Sequence, residues 1–382
     1  MTHPDALSPG ELIGLMLMVG VRGHAPEDPR HRQDLAACRS ARVGGVILFD
    51  VHLPDYFTRR TAGESDLSAR SGAARNIISP SQTWELSDRI RRELGPLALI
   101  SVDQEGGRVA RLSPGRGFEP TLSQLELSAT PPPARAQHAA RLASMVRAAG
   151  CDLNFSPCVD AAVNPDSPVI AGKHRSFGSD ADHIVTCAAE VISAHAAAGV
   201  VTCLKHFPGH GSAQGDTHAG FVDVTHTFRA DPELTVYHQL LPRTDPRLTA
   251  IMPAHVFHAG IDPDHPASLS RAHISGLLRQ TLGFRGVVIT DSLDMGAVTR
   301  RYGPDEAVLL AVNAGADILL DGFNAPPEPG VPEPECPAPR MHESISRALR
   351  DGRVVGGEAR LRESAARILR LQRWSRPSMM GA

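Results

Sequence analysis

Short apolar, β-branched runs recur along the chain, and most are separated by stretches of helical length whose apolar residues fall three or four apart. The runs are Met16–Val21, Val43–Phe49, Leu97–Val102, Cys151–Phe155, Val200–Leu204, Ala250–Pro253, Val287–Thr290 and Ile318–Leu320. Pro133–Gly150, Asp180–Gly199, Arg271–Leu282 and Pro304–Gly315 read as helices, and Gly150, Gly199 and Gly315 stop three of them just before a strand. This alternation predicts a parallel α/β fold. Eight such strands close a (β/α)8 TIM-type barrel, and the competing doubly wound sheet lacks a G-x-G-x-x-G after an early strand.

Two stretches break the alternation: Asp50–Ala74, polar and rich in Arg, Ser and Gly, and Ala325–Pro339, dense in proline. Both read as surface loops. Beyond the second, Met341–Arg350 and Glu358–Arg373 look like helices packed outside the barrel. The expected organisation is a barrel over 1–324, a Pro-rich loop over 325–340 and a C-terminal helical extension over 341–382.

Composition narrows the function classes. With 39 basic against 42 acidic side chains in 382 residues, the chain is nearly neutral and does not read as a polyanion binder. Arginine outnumbers lysine 37 to 2, but the tight run Arg89, Arg91, Arg92 lies among acids on a helix and reads as a solvated face, so no nucleic-acid partner is expected. The six cysteines form no C-x-x-C clip, which suits reduced thiols packed in a cytosolic protein. Leu12–Val21 is too short and wrongly flanked for export or for spanning a bilayer. The expectation is a cytoplasmic monomer without a membrane partner.

In a barrel of this kind, catalytic groups cluster where the strands end. Strand three runs into Asp103, strand five into Lys205 and His206, strand six into His255 and strand seven into Asp291. The densest stretch is KHFPGHGSAQGDTH, Lys205 to His218. Four readings compete for it: a metal site of His206, His210 and His218, an acid/base device, a phosphate loop, and a polar turn. The phosphate loop lacks its Gly-Lys-Ser/Thr ending, and the histidine spacing does not match helical zinc motifs. Asp216 and His218 stand two apart, so a local turn can bring the carboxylate onto an imidazole nitrogen.

VVITDSLDM delivers Asp291 at a strand end, as a carboxylate at the barrel mouth or as a helix N-cap; Asp294 follows and suits a helix dipole. SVDQEGGRVAR adds Asp103, Glu105, Arg108 and Arg111, and GKHRSFG adds Arg175; salt-bridged structural roles compete at each.

Together LMLMVGVRG, GGVILF, VDQEGGRV, LNFSPCVD, RSFG, KHFPGHG with DTH, IMPAHV and GFRGVVITDSLDM resemble glycoside hydrolase family 3, in its single-barrel bacterial β-N-acetylglucosaminidase branch, which recycles cell-wall muropeptides. The resemblance covers nearly the whole chain. It implies that Asp291 is a nucleophile forming a covalent glycosyl-enzyme, and that His218, assisted by Asp216, is the general acid and then the base, with net retention. It implies that Asp103, Arg111, Arg175, Lys205 and His206 hold one terminal sugar, with no metal or other cofactor. A neutral histidine does not repel an anionic acceptor as a carboxylate would, so phosphorolysis stands beside hydrolysis as an alternative outcome. β-Glucosidases of the family draw their acid/base from a later domain, and only about 60 residues follow Leu320 here, which favours the amino-sugar branch. A catalytically dead sugar-binding protein is the reading from another class. Departures from the family are Thr281, remote from the chemistry, and the 50–74 insertion, placed to reshape the pocket mouth.

Overall fold

The computed structural model describes residues 3–326 and 333–375. Seven strands form one parallel sheet in the spatial order Leu319–Asp321, Leu17–Gly20, Gly45–Leu48, Leu99–Val102, Leu153–Asn154, Val201–Phe207 and Thr249–Pro253. Every residue of these strands is buried, and strands covered on both faces read as continuous rather than alternating apolar runs.

The segment 287–290 closes the ring at the seventh position. It does so through single bridges, Ile251 to Val288 and Ile289 to Ile318, rather than a ladder. The Ile251 and Ile318 amides donate to the Val287 and Val288 carbonyls at 3.0 Å each; the Ile289 and Thr290 amides donate to Ile251 at 2.9 Å and Ile318 at 3.0 Å. The sheet is thus a closed α/β barrel with its strands in sequence order.

Helices Pro132–Ala148, Ala181–Ala197 and Pro304–Ala314 lie where the periodicity predicts them. The stretch 272–281 differs, being wound as a π-helix whose end is marked by the Leu282 amide donating to the Leu277 carbonyl.

The expectation of a loop over 50–74 is corrected. Helices Leu53–Thr61 and Asp66–Gly72 fill it, the second capped by the Ser65 hydroxyl accepting from the Ser68 amide. The first carries Leu53, Tyr56 and Phe57 three and four apart but buries none of its residues, and the second, seven residues long, buries only Ala69; the surrounding Arg, Ser and Gly mask so short a pattern. Of the proline-dense stretch, 327–332 lie outside the described residues. The helix after it begins at Ala338, inside the stretch expected to be loop.

Helix Gly357–Ser375 is fastened to the seventh and eighth barrel positions through Asp317, which is fully buried. Its carboxylate accepts from Arg279 Nη2 at 2.6 Å, Ser364 Oγ at 2.7 Å, Arg367 Nη1 at 3.0 Å and the Val288 amide at 3.0 Å. Burial pushes this carboxyl up, but the three guanidiniums of Arg279, Arg367 and Arg360 outweigh it and hold it below its usual range. The stabilisation is therefore present above about pH 4, the unfolded value, and is lost as pH falls through the lower folded one. Asp317→Ala should destabilise the fold by about 3–5 kcal/mol, because it strands three cations in the wall. Urea unfolding at neutral pH measures it; a loss under about 1 kcal/mol would show that the helix is held by its apolar face alone.

None of the described helices is long and apolar enough to cross a membrane.

Candidate active site

The third strand ends at Val102 and passes through Asp103 into a small antiparallel hairpin, Gln104–Gly106 with Val109–Ala110, which carries Glu105. The fifth strand brings Lys205 and His206 to the same end of the barrel. Lys205 Nζ bridges the two acids, 2.8 Å from Asp103 Oδ1 and 2.7 Å from Glu105 Oε1. Arg175 closes on Glu105 with two parallel bonds of 2.9 and 2.8 Å, the geometry that a planar guanidinium and a carboxylate share. Burial works against charge at each of these groups, and the partners win. Glu105 falls to about 2, Asp103 lies below the usual carboxylate range, and Lys205 and Arg175 lie above theirs.

Arg175 Nη2 also donates to His206 Nε2 at 3.3 Å. A guanidinium only donates, so Nε2 must accept and Nδ1 must carry the hydrogen. That hydrogen goes to Asp160 Oδ2 at 2.6 Å. Asp160 follows the fourth strand, is buried, and also accepts from the backbone amides of His206 at 3.1 Å and His210 at 2.8 Å. Burial raises its carboxyl, but His206 and His210 bring it far below the usual range. One carboxylate thereby fixes both the tautomer of His206 and the path of the loop beyond it.

Arg111 is less committed. Nη2 stands 3.8 Å from Asp103 Oδ2 and Nη1 3.9 Å from Asp50 Oδ1, while its buried Nε has no partner among the described residues. These gaps are too long for hydrogen bonds and suit a hydroxyl inserted between them.

Asp291 emerges from the seventh barrel position. It does not cap the following helix, whose N-cap is Met295; among the described residues its Oδ1 takes only the neighbouring Ser292 amide, at 2.8 Å. Burial pushes this carboxyl up, yet the imidazoles of His255, His206 and His218 and the Ser292 amide hold it below the usual range, so it is anionic at neutral pH. His255, fully buried, donates from Nε2 to the Ser292 carbonyl at 2.9 Å and accepts at Nδ1 from Ser268 Oγ at 2.6 Å. Asp294, expected at a helix dipole, instead accepts from the Asn324 and Ala325 amides at 3.0 and 3.1 Å and ties the seventh position to the eighth strand's exit.

The loop after Phe207 carries Asp216 and His218. Asp216 Oδ1 accepts from His218 Nδ1 at 2.7 Å and from the His218 amide at 2.9 Å. Those two bonds hold its carboxyl well below the usual range against partial burial, with further help from the Lys173 charge. The His218 side chain is 63% exposed. Its loop is nevertheless stitched to the chain just past Asp291, where the Gly296 and Ala297 amides donate to the His218 and Thr217 carbonyls at 3.3 and 3.0 Å. Only glycine permits this approach at 296, since a Cβ there would lie 2.6 Å from the His218 oxygen. At Gly211 a Cβ would fall 1.6 Å from the Ala161 carbonyl, so the same loop lies flush on the segment that carries Asp160.

The structure therefore gathers Asp103, Arg175, Lys205 and His206 into one hydrogen-bonded cluster, with Arg111 at its edge. It ties the loop that carries His218 to the segment just past Asp291 through the Gly296 and Ala297 amides. The three histidines of the KHFPGHGSAQGDTH stretch do not converge: His206 faces Asp160, His210 Nε2 lies 3.3 Å from Thr217 Oγ1, and His218 is on Asp216. Among the described residues, Cys158, Asp160 and His206 place ligand atoms within 4.8 Å of one another, but the Cys158 thiol and His206 Nδ1 both spend their hydrogens on Asp160.

Sequence reasoning left Glu105 unassigned and passed over Asp160, Lys173 and Asp50. The signal for Asp160 was its place at the end of LNFSPCVD, directly after a strand.

Comparisons with known proteins show the family and the fold. Residues 13–371 match the glycosyl hydrolase family 3 N terminal domain. Beta-hexosaminidase A of Pseudoalteromonas piscicida is 30% identical over 332 residues, covering 82% of this chain and 53% of that protein, so the chain spans about half its length. Beta-hexosaminidase LpqI of Mycobacterium tuberculosis is 33% identical over 326 residues, covering 83% of this chain and 74% of the relative. A glycoside hydrolase family 3 beta-N-acetylglucosaminidase from Paenibacillus sp. superposes with a TM-score of 0.80 at 31% identity, covering 98% of this chain and 64% of that one. The chain belongs to glycosyl hydrolase family 3.

Proposed function

We propose that this chain is a retaining exo-β-N-acetylhexosaminidase that removes terminal β-linked N-acetylglucosamine, with peptidoglycan fragments as its substrates. The observation that carries the reading is the stitching of the Asp216–His218 loop to the segment just past Asp291, beside a charge-locked polar pocket. That arrangement suits an anionic nucleophile and a proton carrier flanking one bound sugar. The relatives named as beta-hexosaminidases support the choice of amino sugar.

In this reading the hydroxyls of the terminal sugar replace water at Asp103, Arg111, Lys205 and His206, and Arg175 holds Glu105 and His206 in place. Asp291 attacks the anomeric carbon as His218 Nε2 gives its proton to the leaving oxygen. Nε2 then takes a proton from water, which attacks the same carbon and releases Asp291. Two inversions give net retention. The pre-paired charges need no reorganisation when sugar enters, which is how fixed dipoles contribute to catalysis. A cytoplasmic setting fits six cysteines that are all buried and unjoined.

A panel of aryl β-glycosides that differ only at the 2-position tests the reading. The expected result is at least about 10²-fold higher kcat/KM with the 2-acetamido group than with a hydroxyl, the scale by which a site of directed polar contacts discriminates. Equal or faster turnover of the 2-hydroxyl glycoside would make the chain a β-glucosidase of the same family.

A further inference from the structure

We propose that Cys38 and Cys336 are a redox pair, which a peroxide joins in a reversible disulfide that staples the C-terminal helical extension to helix Pro29–Ser40. Both thiols are buried, and their sulfurs lie 3.9 Å apart across 298 positions of chain. Such a pair has no C-x-x-C spacing to announce it. It forms only when the barrel has closed and the extension has docked.

Contacts on both sides hold the sulfurs face to face. Cys38 stands one helical turn beyond Asp34, and Arg22 locks that turn: its Nε and Nη2 donate to the two Asp34 oxygens at 2.9 and 2.7 Å, and its amide donates at 2.8 Å. Glu333 stands three residues before Cys336. Its Oε1 lies 3.4 Å from Nη1 of the same Arg22 and 2.8 Å from His52 Nε2. The turn from Asp34 to Cys38 and the segment from Glu333 to Cys336 are therefore bridged at one end by Arg22 and touch at the other through sulfur. Beyond Cys336 the chain enters helix Ala338–Arg350, whose Ala338 and Met341 are fully buried, so the second sulfur is fixed from both directions. Closing the gap to bonding distance asks each sulfur to move about 1 Å, within the swing of a cysteine side chain about χ1.

The remaining thiols have other surroundings. Cys158 Sγ lies 3.2 Å from Asp160 Oδ2, and Cys187 Sγ lies 3.7 Å from His183 Nε2. Burial pushes the Cys151 thiol up to about 12 and raises Cys203 as well, which keeps both protonated and inert. Cys38 is also held well above its usual range, by its hydrogen bond to Cys336 and by burial. Cys336 is the more open member of the pair, 8% exposed against 0%, so a small oxidant meets it first.

The step takes hydrogen peroxide as oxidant. The Cys336 sulfur attacks one oxygen, the O–O bond breaks, and the departing hydroxide takes the thiol proton to become water, leaving a sulfenic acid. The Cys38 sulfur then attacks the Cys336 sulfur, and its proton leaves with the hydroxyl as a second water. Two thiols have lost two electrons and one peroxide has become two waters. The bond closes a ring that spans nearly the whole barrel, which removes freedom from the unfolded chain.

The test treats the wild type, Cys38→Ser and Cys336→Ser with hydrogen peroxide, alkylates the remaining thiols and maps the peptides by mass spectrometry. The wild type should lose two of its six titratable thiols, yield a peptide cross-linked between Cys38 and Cys336, and recover both thiols in dithiothreitol. Its oxidised form should melt higher by about 3–6 °C. Cys38→Ser lacks the resolving thiol, so dimedone should label Cys336 there and not in the wild type; Cys336→Ser should show neither the cross-link nor the rise. The wild-type map decides the cross-link even if a serine variant fails to fold, and the readout needs no glycoside, so it stands apart from the reading of the active site. Treated wild type whose Cys38 and Cys336 both remain alkylatable would overturn the proposal, as would equal dimedone labelling of Cys336 in the wild type and Cys38→Ser. A cross-link that leaves the melting temperature unchanged or lowers it would overturn the staple.

Discussion

Replacing Asp291 with alanine is expected to lower kcat by on the order of 10³ or more while the fold stays intact. The side chain sits at the mouth and accepts one local amide bond, from Ser292, so its removal breaks no ladder and strands no buried cation. The same variant leaves a hole beside the anomeric carbon. Added azide should enter it, attack once with a single inversion, and give an α-glycosyl azide from an activated β-glycoside. Rescue with that stereochemistry separates a lost nucleophile from a damaged pocket, which azide does not restore. Ordinary residual activity of the folded variant would remove Asp291 from the reaction.

The barrel was legible in the sequence because parallel strands covered on both faces appear as unbroken apolar runs, and the glycines that end the helices mark the turns between them. Even 287–290, which pairs only through single bridges, stands out in VVIT for that reason. The helices inside 50–74 were hard to read because they are short and set among Arg, Ser and Gly: Leu53, Tyr56 and Phe57 fall at helical spacing over a single turn only, and Asp66–Gly72 buries just Ala69. At the site, the barrel rule gives which strand end carries which group. It does not give how the groups pair. Lys205 meets Asp103 across 102 positions and Arg175 meets Glu105 across 70, so these bonds exist only once the ring has closed. Asp160 shows the same gap: nothing local distinguishes a carboxylate that caps its own loop from one that reaches 46 positions on to orient His206. Asp294 looks like a dipole residue in sequence because its tertiary partners, the amides of Asn324 and Ala325, are far along the chain.

The acid/base assignment is tested most sharply by leaving group. His218 Nδ1 is spent on Asp216, so Nε2 is the atom left to exchange a proton with substrate, and the ring's exposure leaves that atom open to the mouth. His218→Ala should therefore cut kcat/KM by about 10²–10⁴ on glycosides whose leaving group is a sugar alcohol, the range typical of a lost general acid. On nitrophenyl glycosides, whose leaving groups depart without protonation, the same ratio should fall by about tenfold or less. Release of the sugar from Asp291 still needs the base, so the variant should show a burst of nitrophenol followed by slow turnover. Equal losses on both substrate classes would mean that His218 shapes the pocket rather than moves a proton. Asp216→Asn separates those outcomes further. The amide keeps the length of the side chain and can still accept from Nδ1, but it removes the charge that stabilises the ring while it carries the proton. The loss should again be larger for the poor leaving group, and smaller than that of His218→Ala, because the proton carrier itself remains in place.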